Sequence, residues 1–123
     1  MSILAREESR RRRLEQGDLD FSEHASVGHA AAPGTLIRAH TANCKVRVTD
    51  VIIYNGDASS ATIIFYDEDS NVKLIVSVGG GETAGIDFKA SIVYGKHNIY
   101  ARTTAEINAE VTVAGREVPL RWQ

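Results

Sequence analysis

The sequence predicts an all-β fold, an antiparallel β-sandwich of Greek-key or jelly-roll type with about seven or eight short strands. Three observations support this prediction. Apolar segments with period-two alternation recur about every ten residues, turn residues separate them, and no helical interval interrupts them between Pro33 and Pro119, the only two prolines. Several segments are apolar on both faces. Because a single flat sheet would leave one such face uncovered, a second sheet is expected.

Residues 1–33 are predicted to form an N-terminal arm outside the sandwich domain, which occupies 34–118 and is followed by a tail, 119–123. The stretch 3–16 lacks glycine and proline and suits a short helix, but its few apolar residues make no core-facing stripe. In 18–33, isolated apolar residues lie among polar and small ones, so burial gains too little to offset the entropy of ordering. We therefore expect an arm that is mobile in the isolated protein and orders on a partner. Its anchors would be Leu19, Phe21 and Val27.

The arm also carries the one locally basic cluster, Arg10, Arg11, Arg12 and Arg13. Glutamates three or four residues away can pair with these arginines on a solvated helix face. Alternatively, the four guanidinium groups contact carboxylates of a partner, or less readily nucleic acid. The four arginines and the three apolar anchors are the candidate partner-binding residues.

Strands follow the arm at regular intervals. The segments 51–54 and 62–66 are apolar on both faces, which is typical of central strands or of strands with one face against a neighbouring subunit. Asn55-Gly56-Asp57 predicts a hairpin, and polar or glycine-rich turns are expected at 67–71, 79–81 and 95–98. The remaining strands before residue 104 are predicted at 35–40, 44–48, 73–78, 83–88 and 98–103.

The last strand has the clearest pattern. The segment 106–113, EINAEVTV, alternates strictly between apolar and polar residues, as expected of a strand with one wet face. The side chains predicted to face inward are Ile107, Ala109, Val111 and Val113.

Composition excludes several classes of function. The chain has 14 lysines and arginines against 16 acids, a net charge of −2, so it lacks the positive field of a nonspecific nucleic-acid binder. No apolar run is long enough for a signal peptide or a membrane span, which predicts synthesis in the cytoplasm and no membrane partner. Cys44 is the single cysteine, so an internal disulfide is excluded, and a buried hydrophobic role is expected for it.

No constellation for catalysis, a metal or a cofactor stands out. Asp67, Asp69 and Asn71 begin like a calcium loop, but Val72 stands where that loop needs glycine, and no glutamate occupies its twelfth position. The four histidines and the lone cysteine have no zinc-site spacing, and no serine lies in a nucleophile elbow. The glycines of 79–81 precede a strand rather than a helix, which favours a turn over a phosphate site. We therefore expect a non-enzymatic protein that has no metal and no cofactor.

The body resembles small β-sandwich proteins of tailed bacteriophage virions, particularly capsid cement or decoration proteins. The resemblance covers roughly 44–115 and rests on the runs VTDVIIYNGDASSATIIFYDEDSN, GGGETAGIDF and SIVYGKHNIYARTTAEINAEVTVAG. It implies a homo-oligomer, commonly a trimer, on the outside of a capsid shell. There the protein would clamp adjacent major capsid proteins with its extended termini.

Two other functions stay open at this point. The same sandwich suits a head-to-tail connector, a tail component or a fibre component. A carbohydrate-binding module would need exposed aromatic side chains, for which the candidates are Trp122 in the tail and Tyr54, Tyr66, Tyr94 and Tyr100.

Overall fold

The computed structural model describes residues 19–119, and for Leu19 and 89–93 it describes the backbone. The predicted helix at 3–16, the run Arg10–Arg13 and Trp122 lie outside this range. The described strands are β1 (Leu19–Val27), β2 (Thr35–Arg38), β3 (Cys44–Tyr54), β4 (Ala61–Tyr66), β5 (Val72–Val78), β6 (Thr83–Gly95), β7 (Ile99–Thr103) and β8 (Ala109–Pro119).

The eight strands form two four-stranded antiparallel sheets. Sheet A has the order β1-β8-β3-β6, and sheet B has the order β2-β7-β4-β5. The first strand thus pairs with the last, the second with the seventh, the third with the sixth and the fourth with the fifth. This rolled arrangement is the eight-stranded jelly roll, so the predicted fold class is confirmed. Within 19–119 there is no helix long and apolar enough to cross a membrane.

The core lies between the two sheets. Val46 and Ile53 of sheet A, and Ile63 and Phe65 of sheet B, are at most 2% exposed. Burying each side chain of this size contributes about 1.5–3 kcal/mol. The alternation predicted for 106–113 is confirmed in its facing, although β8 itself begins at Ala109. The predicted inward set is buried throughout: Ile107, Ala109, Val111 and Val113.

The structure joins the strands predicted at 44–48 and 51–54 into one strand, β3. The register with β8 shifts between Val48 and Asp50, which leaves Thr49 as an extra residue. The Thr49 hydroxyl lies 2.8 Å from an Asp50 carboxylate oxygen and 3.3 Å from the Ala114 carbonyl oxygen, and its one proton is shared between these two acceptors. Because this β-bulge moves the buried set by one residue, the alternation restarts in mid-strand and imitates two strands.

The predicted arm boundary at residue 34 is wrong for residues 19–27, which form β1. This strand pairs with β8 along its whole length, from Leu19 opposite Glu117 to Val27 opposite Ala109. The sequence of β1 does not show a clear strand pattern. Two of its inward positions are a glutamate and an alanine, so the apolar alternation is incomplete. Part of the segment expected to order only on a partner therefore belongs to the folded domain.

Asn55 closes the end of the sandwich where β3 and β5 finish. Its buried Nδ2 group donates to the carbonyl oxygens of Ser59 at 2.8 Å, Val78 at 3.2 Å and Gly79 at 3.3 Å. Its Oδ1 accepts a hydrogen bond from the Asp57 amide at 3.0 Å. The predicted turn therefore forms, but it is no hairpin, because β3 and β4 belong to different sheets.

Candidate interaction surfaces

The structure changes the status of the candidate partner-binding residues. Arg10, Arg11, Arg12 and Arg13 lie outside the described residues. Phe21 is 9% exposed and Val27 is fully buried, so both pack in the core of their own chain. In this conformation neither side chain can anchor the chain on a partner, because its apolar surface is already covered. Leu19 lies at the start of β1, in the ladder with β8.

The outer face of sheet B, which we call face B, exposes apolar side chains on both of its edge strands. Leu36 on β2 is 47% exposed, and Val72 and Ile75 on β5 are 53% and 59% exposed. The ladder places Tyr100 and Tyr66 between Leu36 and Val72. Several exposed apolar side chains on one face are typical of an interaction site.

Arg102 is the cation in the middle of face B. It stands opposite Ile64 in the ladder, and its Nε donates to the Tyr66 hydroxyl at 2.9 Å. Its guanidinium carbon lies 5.7 Å from the centroid of the Tyr66 ring. Because a cation covered by a partner needs compensation, face B suits a partner that offers a carboxylate within an apolar surface.

The outer face of sheet A, which we call face A, has its own exposed apolar pair on the central strand β3. Ile52 and Tyr54 are 49% and 47% exposed. Beside Ile52 lies a shallow concavity of about 440 Å³. The concavity is lined by Ser22, Asp50, Ile52, Gly85, Ile86, Asp87, Thr112 and Ala114.

Asp50 and Asp87 form a carboxylate pair at this concavity. They stand directly opposite each other in the β3–β6 ladder, and both are exposed. Like charges in directly opposed positions destabilise a sheet. Neither carboxylate has an ion pair with the described side chains. The arrangement favours a cation supplied by a partner.

A buried ion network joins the two sheets at the β1/β2 edge. Arg38 Nε donates to Glu117 Oε1 at 3.1 Å, and Arg38 Nη1 donates to Glu23 Oε1 at 2.7 Å. The guanidinium lies 4.2 Å above the centroid of the Phe21 ring. The Glu117 side chain is fully buried and also accepts from the Thr41 amide at 3.2 Å. The network holds β1 in place, because two of its residues contact Arg38.

The balance of burial and pairing sets the pKa of Glu117. Burial raises this pKa, but the hydrogen bonds from Thr41 and Arg38 and the positive charge of Arg38 outweigh burial. The pKa of Glu117 therefore lies below its usual value.

The free energy of unfolding is expected to fall as the pH drops below about 4.5, the usual pKa of a glutamate. The sign follows from the lowered pKa: the stabilisation is complete above the unfolded-state pKa and is lost as Glu117 takes up a proton in acid. Urea unfolding between pH 7 and pH 3 measures this loss, and Glu117→Gln should show a shallower loss. The exposed Glu106→Gln controls for removing one carboxyl group. Identical acid profiles for wild type and Glu117→Gln would contradict this assignment.

The opposite edge of the sandwich is tied by Tyr94 of β6, whose hydroxyl donates to the Tyr66 carbonyl oxygen at 2.8 Å. Burial raises the pKa of Tyr94, and the nearby charges of Asp67 and Glu68 raise it further. Tyr94 is 3% exposed and Tyr66 is 5% exposed, so neither offers an open aromatic surface to a sugar ring.

The D-x-D-x-N motif forms the β4–β5 turn. Asp67 Oδ1 accepts from the amides of Asp69 and Asn71, both at 2.9 Å, and Asp67 Oδ2 accepts from Asn71 Nδ2 at 3.0 Å. Burial raises the pKa of Asp67, but the hydrogen bonds outweigh burial and leave its pKa below the usual value. The turn itself thus uses both oxygens. Among residues 19–119, no group of three or more potential metal ligands is found.

Comparison with known proteins indicates a shared fold. No protein-family model and no curated protein matches the chain. The fold is similar to a structure described as "Bacillus endospore appendages form a novel family of disulfide-linked pili", with 13% identity and a TM-score of 0.52 over 84% of this chain and 87% of that one.

Two further structures show weaker likeness. One is the cryo-EM structure of a virus-like particle of the extra small virus of the prawn Macrobrachium rosenbergii. It has 10% identity and a TM-score of 0.39, over 82% of this chain and 79% of that one. The other is the crystal structure of PirA, with 14% identity and a TM-score of 0.35, over 80% and 92%. At these values neither likeness supports an inference.

Proposed function

We propose that this chain is a non-enzymatic structural subunit of a multi-copy assembly. More specifically, we propose that it is a cement or decoration protein, which binds the outside of a phage capsid and stabilises contacts between major capsid proteins. The observation that carries the proposal is the apolar exposure on both outer faces, with Ile52 and Tyr54 on one and Leu36, Val72 and Ile75 on the other. A sandwich that functions alone needs apolar side chains on its inner faces only.

The fold and the sequence resemblance support the role of a cement protein. Jelly rolls recur in viral capsid proteins, although also in lectins and cupins, so the fold by itself selects no function. The resemblance to phage cement proteins covers most of the described domain. With β1 in the sheet, the segment that would reach a neighbouring capsid protein is 1–18, which contains Arg10–Arg13.

A fibre component is the second candidate, favoured by the fold shared with a pilus protein. The description of that pilus names disulfide links. In this chain Cys44 is the single cysteine and is 7% exposed. One cysteine per subunit can link pairs of subunits but no continuous filament, so a fibre of this chain would need non-covalent contacts.

Replacing Arg10, Arg11, Arg12 and Arg13 with alanine is expected to weaken attachment to the capsid and to leave thermal unfolding of the free domain almost unchanged. The reason is that charge-assisted contacts with capsid carboxylates would be lost, whereas the core is untouched. Raised salt should reproduce part of the loss. The experiment adds wild-type or variant protein to particles made without this chain, and measures occupancy by sedimentation and cryo-EM.

The same maps test the proposed function itself. Wild-type density at many equivalent positions on the outer shell supports a cement protein. Density at one vertex or along the tail would replace this function with that of a connector or tail component. Equal occupancy of wild type and the four-alanine variant at every salt concentration would assign the arginines to a solvated face.

A further inference from the structure

The two sheets differ in charge. The strands of sheet A contain six carboxylates and four cations, the latter being Lys45, Arg47, Lys89 and Arg116, whereas the strands of sheet B contain three cations and no carboxylate. Of the cations of sheet B, Arg38 is directed into the ion network between the sheets, and Lys73 lies 3.9 Å from Asp67. Arg102 therefore gives face B its positive charge, and Asp50 and Asp87 make the concavity of face A negative, because no cation is among the residues that line it.

The two faces are therefore complementary in charge, and both expose apolar side chains. Face A presents Ile52 and a concavity beside two carboxylates that have no ion pair among the described side chains. Face B presents Leu36 and Ile75 around a guanidinium. Packing face B on itself would bring two Arg102 side chains together in an apolar contact, and packing the concavity of face A on itself would bring four carboxylates together. Both self-contacts are disfavoured by like-charge repulsion and desolvation.

We propose that face B of one copy of this chain packs on face A of the next copy. Ile75 and Leu36 cover Ile52 and the concavity, and Arg102 pairs with Asp50 and Asp87. The inference rests on the proposed structural role, in which many copies lie side by side. The contact is heterologous, since two different patches meet, so each bound copy leaves one of the two patches open for another copy.

The contact between two different faces can be tested with two variants, each of which blocks one face. Ile52→Lys blocks face A, because the ammonium group opposes Arg102. Ile75→Asp blocks face B, because the carboxylate opposes Asp50 and Asp87. Both replaced side chains are about half exposed or more, so the fold is expected to tolerate the changes. Thermal unfolding of each variant checks this point.

Sedimentation velocity of the full chain over a concentration series gives the first readout. Wild type should self-associate, and each variant alone should bind itself at least about tenfold more weakly, a loss of about 1.4 kcal/mol. An equimolar mixture of the two variants should form a heterodimer, because the open face A of the Ile75→Asp copy meets the open face B of the Ile52→Lys copy. A face that binds itself would instead leave one of the two variants associating as wild type does.

A charge exchange tests the ion pair. Arg102→Glu, and the paired change of Asp50→Lys with Asp87→Lys, should each weaken self-association, whereas the combination of all three changes should regain most of it, because every charge of the contact is then reversed. Glu106→Lys, which makes the same charge change as Asp87→Lys at an exposed loop residue, should associate like wild type.

Three results would overturn the proposed contact: a wild type that stays monomeric at every concentration, folded single variants that associate normally, or a mixture that binds no better than either variant alone. These outcomes are separable from failure of the proposed function. The particle maps report attachment to the capsid whether or not free copies associate.

Discussion

Replacing Val111 with aspartate is expected to unfold the domain. Val111 is fully buried on β8 and stands opposite Ile53 on one side and Ala25 on the other. Burying an unpaired carboxylate there costs several kcal/mol, against a total stability of about 5–15 kcal/mol for a domain of this kind. Far-ultraviolet circular dichroism and urea unfolding of the purified variant measure the loss.

The matched control for Val111→Asp is its neighbour on the wet face of the same strand. Glu110 is about half exposed, and its Oε2 lies 2.7 Å from His24 Nε2. Glu110→Lys removes this contact at a cost of at most about 1 kcal/mol, because exposed pairs contribute little. If the two variants were equally stable, the facing of β8 would be wrong, since a slip of one residue exchanges the two sides of a strand.

Arg38→Met is expected to lower the free energy of unfolding by about 3–5 kcal/mol, because it leaves the buried Glu117 carboxylate without its cation. Methionine keeps much of the aliphatic bulk above Phe21, so the change tests charge more than packing. Urea unfolding at neutral pH gives the magnitude. Hydrogen exchange should show the loss of protection concentrated in β1, which Arg38 holds through Glu23.

Arg116→Met is the control for Arg38→Met. The Arg116 Nε lies 3.2 Å from Asp20 Oδ1, and both side chains are about half exposed or more. Its loss should cost at most about 1 kcal/mol. A similar small cost for Arg38→Met would mean that solvent reaches Glu117. Adding Glu117→Gln to Arg38→Met should recover part of the stability, because the uncompensated charge is then absent.

The fold was predictable where local patterns and tertiary structure agree. β8 alternates without interruption, and the turn at 67–71 carries its own acceptor in Asp67. β1 was missed because Glu23 occupies an inward position. That glutamate is acceptable there only because Arg38, fifteen positions further on, reaches it across the gap between the sheets. No local pattern contains this information.

The interaction surfaces were predictable in part for the same reason. The apolar character of both faces of 51–54 indicated a central strand or a covered face, and β3 is a central strand with Ile52 and Tyr54 exposed. The opposition of Asp50 and Asp87 depends on the β3–β6 register. The pairing of Arg38 with Glu117 joins residues 79 positions apart. Neither contact can be predicted from the sequence without knowledge of the fold.

The hydrogen bonds of the buried Asn55 side chain affect how fast the protein deamidates. In a flexible loop, an Asn-Gly pair deamidates readily: the backbone nitrogen of the glycine attacks the side-chain carbonyl carbon and expels ammonia. Water then opens the resulting succinimide to aspartate or isoaspartate. Here the Asn55 amide makes four hydrogen bonds in a buried site, and it has to break them before it can turn toward Gly56. Deamidation at residue 55 should therefore be slow in the folded state and should record, as a covalent mark, how often this end of the sandwich has opened.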